Sequence, residues 1–281
     1  MLPGVFEAKK KNGDIYYRAN ITCRGKHVSL GSFATEKDAG KAYLEAKEIY
    51  EDTDRKISLL NYQNKKTVLS NDKLITILNH RDNGMYIKTP IYLRSGYFSY
   101  FLDKKTELKF DNDDLFYYSS HRILRRQGHL YVNDYGMQYS ILQRFGIKGF
   151  GVSGKDYTFA NGDDTDYRYS NIIVINRYHG VTKTERNGIF LHETKIHLNG
   201  DFLIGRFKSD SVAAVAYNKA VDYAKDHGYK KQFIQNYVIE YTPKEYAEVY
   251  TEITLPAKYT RYINEFPCHF ERRTRSGGPR H

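Results

Sequence analysis

Two stretches near the ends of this chain repeat one another, which fixes the same local fold twice. Near the N-terminus, Gly4-Val5 leads to a basic turn, Lys9-Lys10-Lys11-Asn12-Gly13, and then to Tyr16-Tyr17-Arg18-Ala19-Asn20-Ile21-Thr22. A second turn, Arg24-Gly25-Lys26, runs into Val28-Ser29-Leu30-Gly31-Ser32-Phe33. Thr35 with Asp38 three residues on gives a capping-box signal, and Ala39, Ala42, Tyr43, Ala46 and Ile49 share one helical face. The same order returns from Gly180-Val181, with the turn Arg186-Asn187-Gly188, the strand His192 to His197 and the turn Asn199-Gly200. Ile204-Gly205-Arg206-Phe207 follows, then a helical face of Ala213, Ala216, Tyr217 and Ala220. The offset between copies shortens by one residue at the first turn and by another before the helix. Short turns absorb such changes. Each copy predicts three short antiparallel strands with an amphipathic helix laid across them.

The strand period of two assigns the faces. Tyr17, Ala19 and Ile21 point toward the helix, while Arg18, Asn20 and Thr22 point away, joined by His27 and Ser29. In copy two the outward set is Glu193, Lys195 and His197, with Asp201 and Leu203 beside them. Charged residues on such a face read first as a solvated surface. Over the whole chain 44 lysines and arginines stand against 33 acids in 281 residues, a formal charge of +11. That excess points to an anionic partner, with nucleic acid the default.

The ordered set Gly4-Val5, Tyr17-Arg18-Ala19-Asn20-Ile21, Leu30-Gly31-Ser32-Phe33 and Ala39-Gly40-Lys41-Ala42-Tyr43 resembles the plant ethylene-response-factor (Apetala-type) DNA-binding domain, especially its bacterial and phage versions. Residues 179–224 match more loosely. In that family the three-stranded sheet lies in the major groove of double-stranded DNA. The resemblance implies that Arg18, Asn20, Thr22, His27 and Ser29 face bases, while Lys9, Lys10, Lys11 and Arg24 face phosphates. Lys183, Lys195 and His197 complete the implied DNA-binding set in copy two. The tryptophans and several reading arginines of the plant pattern are missing.

Between the copies, residues 52–90 read as a linker with some local structure, and tyrosine-rich strand-like segments follow at Tyr97 to Leu102 and Gly128 to Val132. The informative run is Asn161-Gly162-Asp163-Asp164-Thr165-Asp166-Tyr167-Arg168-Tyr169-Ser170-Asn171-Ile172. It resembles the second half of an HNH endonuclease motif, and Gln138 to Gly146 aligns with that family's helix before the catalytic hairpin. Phage and mobile-element endonucleases join such domains to Apetala-type ones. The family's chemistry needs a histidine as general base and a divalent metal at the leaving oxygen. Here Asn161 and Asn171 occupy the orienting and last positions, but Phe159 stands where the base belongs and Thr158 where the usual aspartate precedes it. A phenyl ring takes no proton, so the resemblance implies a degenerate site with no catalytic residue. Asp156 could supply a carboxylate in a shifted register, and His129 or His179 an imidazole across space.

No phosphate-cradling glycine loop and no Cys-His nucleophile motif is present. Cys23 and Cys268 cannot make a disulfide framework or a cysteine-rich zinc site. No apolar run approaches the roughly 18 residues of a membrane span, and no start resembling a signal peptide is seen, so the expectation is the bacterial cytoplasm or nucleoid. After Tyr229 the chain reads helical, with Ile239, Tyr246, Val249 and Tyr250 as an apolar stripe that forms core or a dimer face, and the last ten residues read as a basic tail.

The expected fold is α+β: an Apetala-type module at 1–51, the linker, an HNH-like ββα core at 91–178, a second module at 179–228, and a helical extension with tail at 229–281. The leading function is a sequence-selective double-stranded DNA-binding regulator of phage or mobile-element origin, needing no metal or other cofactor. A second reading is a magnesium-dependent HNH homing or nicking endonuclease. A third is a basic adaptor for a host protein.

Overall fold

The computed structural model describes residues 2–63 and 66–265. It is an α+β structure whose sheets are antiparallel. The chain falls into two units. One takes the residues up to Ile141 together with Phe159–Ile173; the other takes Leu142–Thr158 and the chain from Val174 on.

The first unit opens with β1 (Val5–Lys9), β2 (Ile15–Cys23) and β3 (Lys26–Phe33), paired in that order, followed by α1 (Glu36–Glu51). Alternation puts Ala19, Ile21, Val28 and Leu30 inward, against Ala39, Ala42, Ala46 and Ile49 of α1. Thr35 caps α1 by accepting the Asp38 N–H, while the Asp38 carboxylate takes the Thr35 hydroxyl. The expected linker departs from its reading. It holds α2 (Leu59–Gln63) and α3 (Asn71–Asn83), and Leu69, Leu74, Ile77 and Leu78 complete the core under α1. α3 also buries Thr76, Asn79, His80 and Arg81, so polar residues interrupt the helical apolar spacing of Leu74, Ile77 and Leu78. Most of these polar groups are bonded: Asn79 to the Met85 carbonyl and the Leu93 N–H, Arg81 to Asp52, Asp82 and the Ile49 and Ile57 carbonyls.

Two further meanders follow in this unit. β4 (Ile91–Leu93), β5 (Tyr97–Phe101) and β6 (Glu107–Asp111) form one, succeeded by α4 (Leu115–Ser120). β7 (Ile123–Arg126), β8 (His129–Asp134) and β9 (Met137–Ser140) form the other. Then β10 (Tyr157–Phe159) pairs with β11 (Ile172–Val174).

This region differs from an ββα core in two places. Gln138 to Gly146 is the end of β9 and a 3-10 turn, Ile141–Phe145, rather than an α-helix. No α-helix follows β11 before the second copy. The chain there is tied down instead: the Ile175 and Asn176 N–H groups both donate to the Asp156 carbonyl, and Asn176 bonds the Lys155 carbonyl and the Lys183 N–H.

The second unit contains β12 (Val181–Arg186), β13 (Ile189–His197), β14 (Asp201–Phe207) and α5 (Asp210–Asp226), capped by Ser209. It repeats the first module in detail. Gly4 and Gly180 both have positive φ, 69° and 71°, and a Cβ at either would collide with a tyrosine ring, Tyr43 or Tyr217. The Gly4 carbonyl accepts the Asn20 N–H at 2.9 Å, and the Gly180 carbonyl accepts the Lys195 N–H at 2.8 Å. Both sheets shift register at the same point, Ala19/Asn20 and Thr194/Lys195. Beyond α5 the helices among the described residues are α6 (Pro243–Glu252) and α7 (Ala257–Asn264). The chain from Tyr229 to Tyr241 is not helical: Gly228 at φ 84° ends α5, and Asn218 of α5 clamps Asn236 through two hydrogen bonds. Tyr246, Val249 and Tyr250 pack on the core, but Ile239 is 76% exposed and leaves the expected stripe. The basic tail and Cys268 lie outside the described residues.

Candidate nucleic-acid interface

The outer face of the β1–β3 sheet gathers the five residues expected to face bases. Cross-strand register sets Asn20 against Ser29 and Thr22 against His27, and Thr22 Oγ1 lies 3.2 Å from His27 Nδ1. Arg18 sits one pair further along, beside Ser32 on β3 and Phe6 on β1. Arg18, Thr22, His27 and Ser29 are exposed and Asn20 half-buried. Arg18 has no hydrogen-bond or ion-pair partner among the described residues, so its guanidinium fork remains available for a planar, bidentate acceptor. Phe6, 52% exposed, was not among the sequence-derived residues, although alternation from buried Val5 would have found it.

The cations expected at phosphates are arranged less uniformly. Lys10 and Lys11 lie in the β1–β2 turn, and Lys9 has the strand parity of buried Val5, so it sits at the sheet's edge. The three lysines line an open groove at the end of the sheet with Tyr16 and Ser32. Lys10 is 3.9 Å from Asp14, an exposed pair of little strength. Arg24 donates to the His80 carbonyl at 3.2 Å and is thus partly committed to the fold.

Copy two carries its charge differently. Glu193, at the position matching Arg18, holds Lys195 at 2.6 Å and Arg206 at 2.7 Å. Their hydrogen bonds keep the Glu193 carboxyl below the usual carboxylate range. His197 lies 2.7 Å from Asp201. Lys183 does not join this face: it pairs with His192, on the parity of buried Thr194, and its ammonium lies 4.7 Å from the Phe190 ring centre. The outward cations of copy two are therefore neutralised within the sheet, and those of copy one are not.

The run from Phe159 to Asn171 folds back on itself. Asn161 and Asn171 are brought together, with the Asn161 N–H on Asn171 Oδ1 at 2.8 Å. Asn171, 4% exposed, donates to the Asp166 carbonyl at 2.8 Å, and Asn161 Oδ1 accepts the Asp163 N–H. Both amides are spent on the turn. Asp163 holds Lys109 at 2.8 Å, which pulls its carboxyl down to about 2, and Asp166 takes the Arg168 fork at 2.8 and 2.6 Å. Phe159 sets its edge on Tyr167, which stacks on Phe110, which stacks on Phe98.

The other residues considered for this chemistry are also engaged. Asp156 is buried, 2.8 Å from Lys148, and accepts the Val152 N–H. His179 belongs to the other unit from Phe159, where burial pushes its imidazole pKa down. A divalent metal does not fit the donors gathered here, since the Asn161 and Asn171 amide oxygens accept backbone N–H groups and Asp156, Asp163 and Asp166 each already hold a cation. Among the described residues, no three His, Cys, Asp or Glu side chains converge as metal ligands.

No family model, curated protein or solved structure matches this chain. No helix among the described residues is long and apolar enough to cross a membrane.

Proposed function

We propose that this chain is a double-stranded DNA-binding protein that selects sequence with the outer face of β1–β3 and occupies its site without cutting it. The observation that carries the reading is the contrast between the copies: Arg18 on the first face is exposed and unpaired among the described residues, whereas Glu193 at the matching position neutralises Lys195 and Arg206. Two Apetala-type modules flanking an HNH-derived segment account for the repeat and for the Asn161–Asn171 run. A two-stranded or three-stranded β face fits the major groove, where arginine and asparagine distinguish guanine and adenine. Phe159, packed on Tyr167, supports a role without hydrolysis. Such a protein would act as a regulator of phage or mobile-element origin in a bacterial cytoplasm.

Selection from random duplexes tests the binding claim, and a plasmid nicking assay tests the rest. The expected outcome is an enriched motif with no magnesium- or manganese-dependent nicking of DNA that carries it. Metal-dependent cleavage by the unmodified protein, abolished by Asn171→Ala, would establish the endonuclease instead. Absence of any enriched motif would favour the adaptor.

A further inference from the structure

We propose that the hairpin joining β8 to β9 is a second DNA-contacting element, which inserts the Tyr135 ring between neighbouring base pairs. This rests on the reading of the chain as a duplex-DNA binder and adds a contact of a different kind, on a sheet outside the repeat. Tyr135 and Gly136 form the whole connection between Asp134 and Met137, and both have positive φ, 45° and 78°. That is a type I′ turn, whose first position favours Asn, Asp or Gly. The Asn187-Gly188 turn obeys the preference, while Arg24-Gly25 and Gln127-Gly128 also depart from it, though neither places a ring there. A bulky ring at positive φ is strained, and strain of this kind concentrates at functional positions.

Tyr135 returns nothing to the fold for that strain. It is 96% exposed and has no hydrogen-bond, ring or ion-pair partner among the described residues. Met137 beside it is 56% exposed. Immediately behind the tip, Asn133 and Gln138 face each other across the strands, both exposed. Arg126, exposed and unpartnered among the described residues, lies on the same face of the sheet. A two-stranded ribbon can enter a groove, side-chain amides and arginine can contact base edges there, and a protruding ring can wedge and stack between bases. The chain's +11 charge complements duplex DNA and disfavours an equally basic second copy as the occupant.

The test uses the full chain and its selected duplex, with 2-aminopurine placed at successive steps. Wild type is expected to brighten one step several-fold on binding. Tyr135→Asn should abolish that rise and weaken binding about tenfold, the scale of one lost base–aromatic stack. Because Asn-Gly suits the turn, the same variant should keep or raise the Tm, so its defect cannot come from unfolding. Tyr135→Phe should retain the rise. Tight, selective binding by wild type with no brightened step would overturn the insertion alone, as would an unchanged rise in Tyr135→Asn. If wild type selects no duplex, the DNA-binding reading fails and the insertion with it.

Discussion

Arg18 and the lysines of the first turn differ in what surrounds them, and so in what their loss should do. Arg18 stands among Asn20, Ser32 and Phe6 on a face with room for base edges. Arg18→Ala is expected to relax preference at one or two base pairs, at about 1–3 kcal/mol for the favoured sequence, read by competition among single-site variants of the selected duplex. Equal weakening on every duplex would remove Arg18 from the reading role. Lys9, Lys10 and Lys11 at the sheet's end should behave in that uniform way: their joint replacement by alanine lowers affinity for all sequences and flattens the salt dependence. Asp163 makes a prediction about stability instead. Its carboxyl is held at about 2 by Lys109 and by bonds from Thr165, well below the unfolded value of roughly 4. A depressed carboxylate contributes stability that is fully present above the unfolded value and is lost as pH falls through the folded one. Acid denaturation between about pH 4 and pH 2 should thus be shallower in Asp163→Asn than in wild type. Equal slopes would mean that the Lys109 pair adds nothing.

At the scale of elements, the two sheet-and-helix modules share a backbone and differ in charge. Gly4 and Gly180 let β1 and β12 pass close under Tyr43 and Tyr217, at a φ that other residues rarely adopt. Gly4→Ala and Gly180→Ala should each destabilise by more than about 1 kcal/mol in urea titration, since collision adds to the ordinary strain of alanine at positive φ. A milder effect at only one site would mean that both its tyrosine and the facing backbone carbonyl, Asn20 or Lys195, give way there. The charge difference is concentrated in one residue. Glu193→Gln releases Lys195 and Arg206 from their shared carboxylate. It should raise affinity for all duplexes and steepen the log–log salt slope by up to about two units, as two newly available cations would. An unchanged slope would place copy two away from the DNA.

For the molecule as a whole, selective binding should follow copy one. Lys195→Ala is expected to leave the selected motif intact, while Arg18→Ala alters it; the reverse result in parallel selections would exchange the roles of the copies. The +11 charge acts over the entire chain and would set non-specific affinity for DNA under the proposed function, but it does not choose a face.

Strand alternation, turn residues and helix caps act over a few neighbours, so the α+β character, the β1–β3 and β12–β14 sheets and their inward residues could be read directly from sequence. The same holds for the outward placement of Arg18 and Glu193. What only the tertiary structure decided depends on residues far apart along the chain. α3 shows helical spacing at Leu74, Ile77 and Leu78, but the burial of its Asn79 and Arg81 depends on partners at Leu93 and Asp52 that no local period announces. The Asn161–Asn171 run shows its letters in sequence, yet Lys109 arrives from a distant strand to occupy Asp163, and Phe110 supplies the stack behind Phe159 and Tyr167. Tyr135-Gly136 is recognisable as a turn, but that nothing covers the ring depends on where every other side chain comes to lie. Local sequence sets which groups a strand presents, and the folded chain sets which of them are already satisfied.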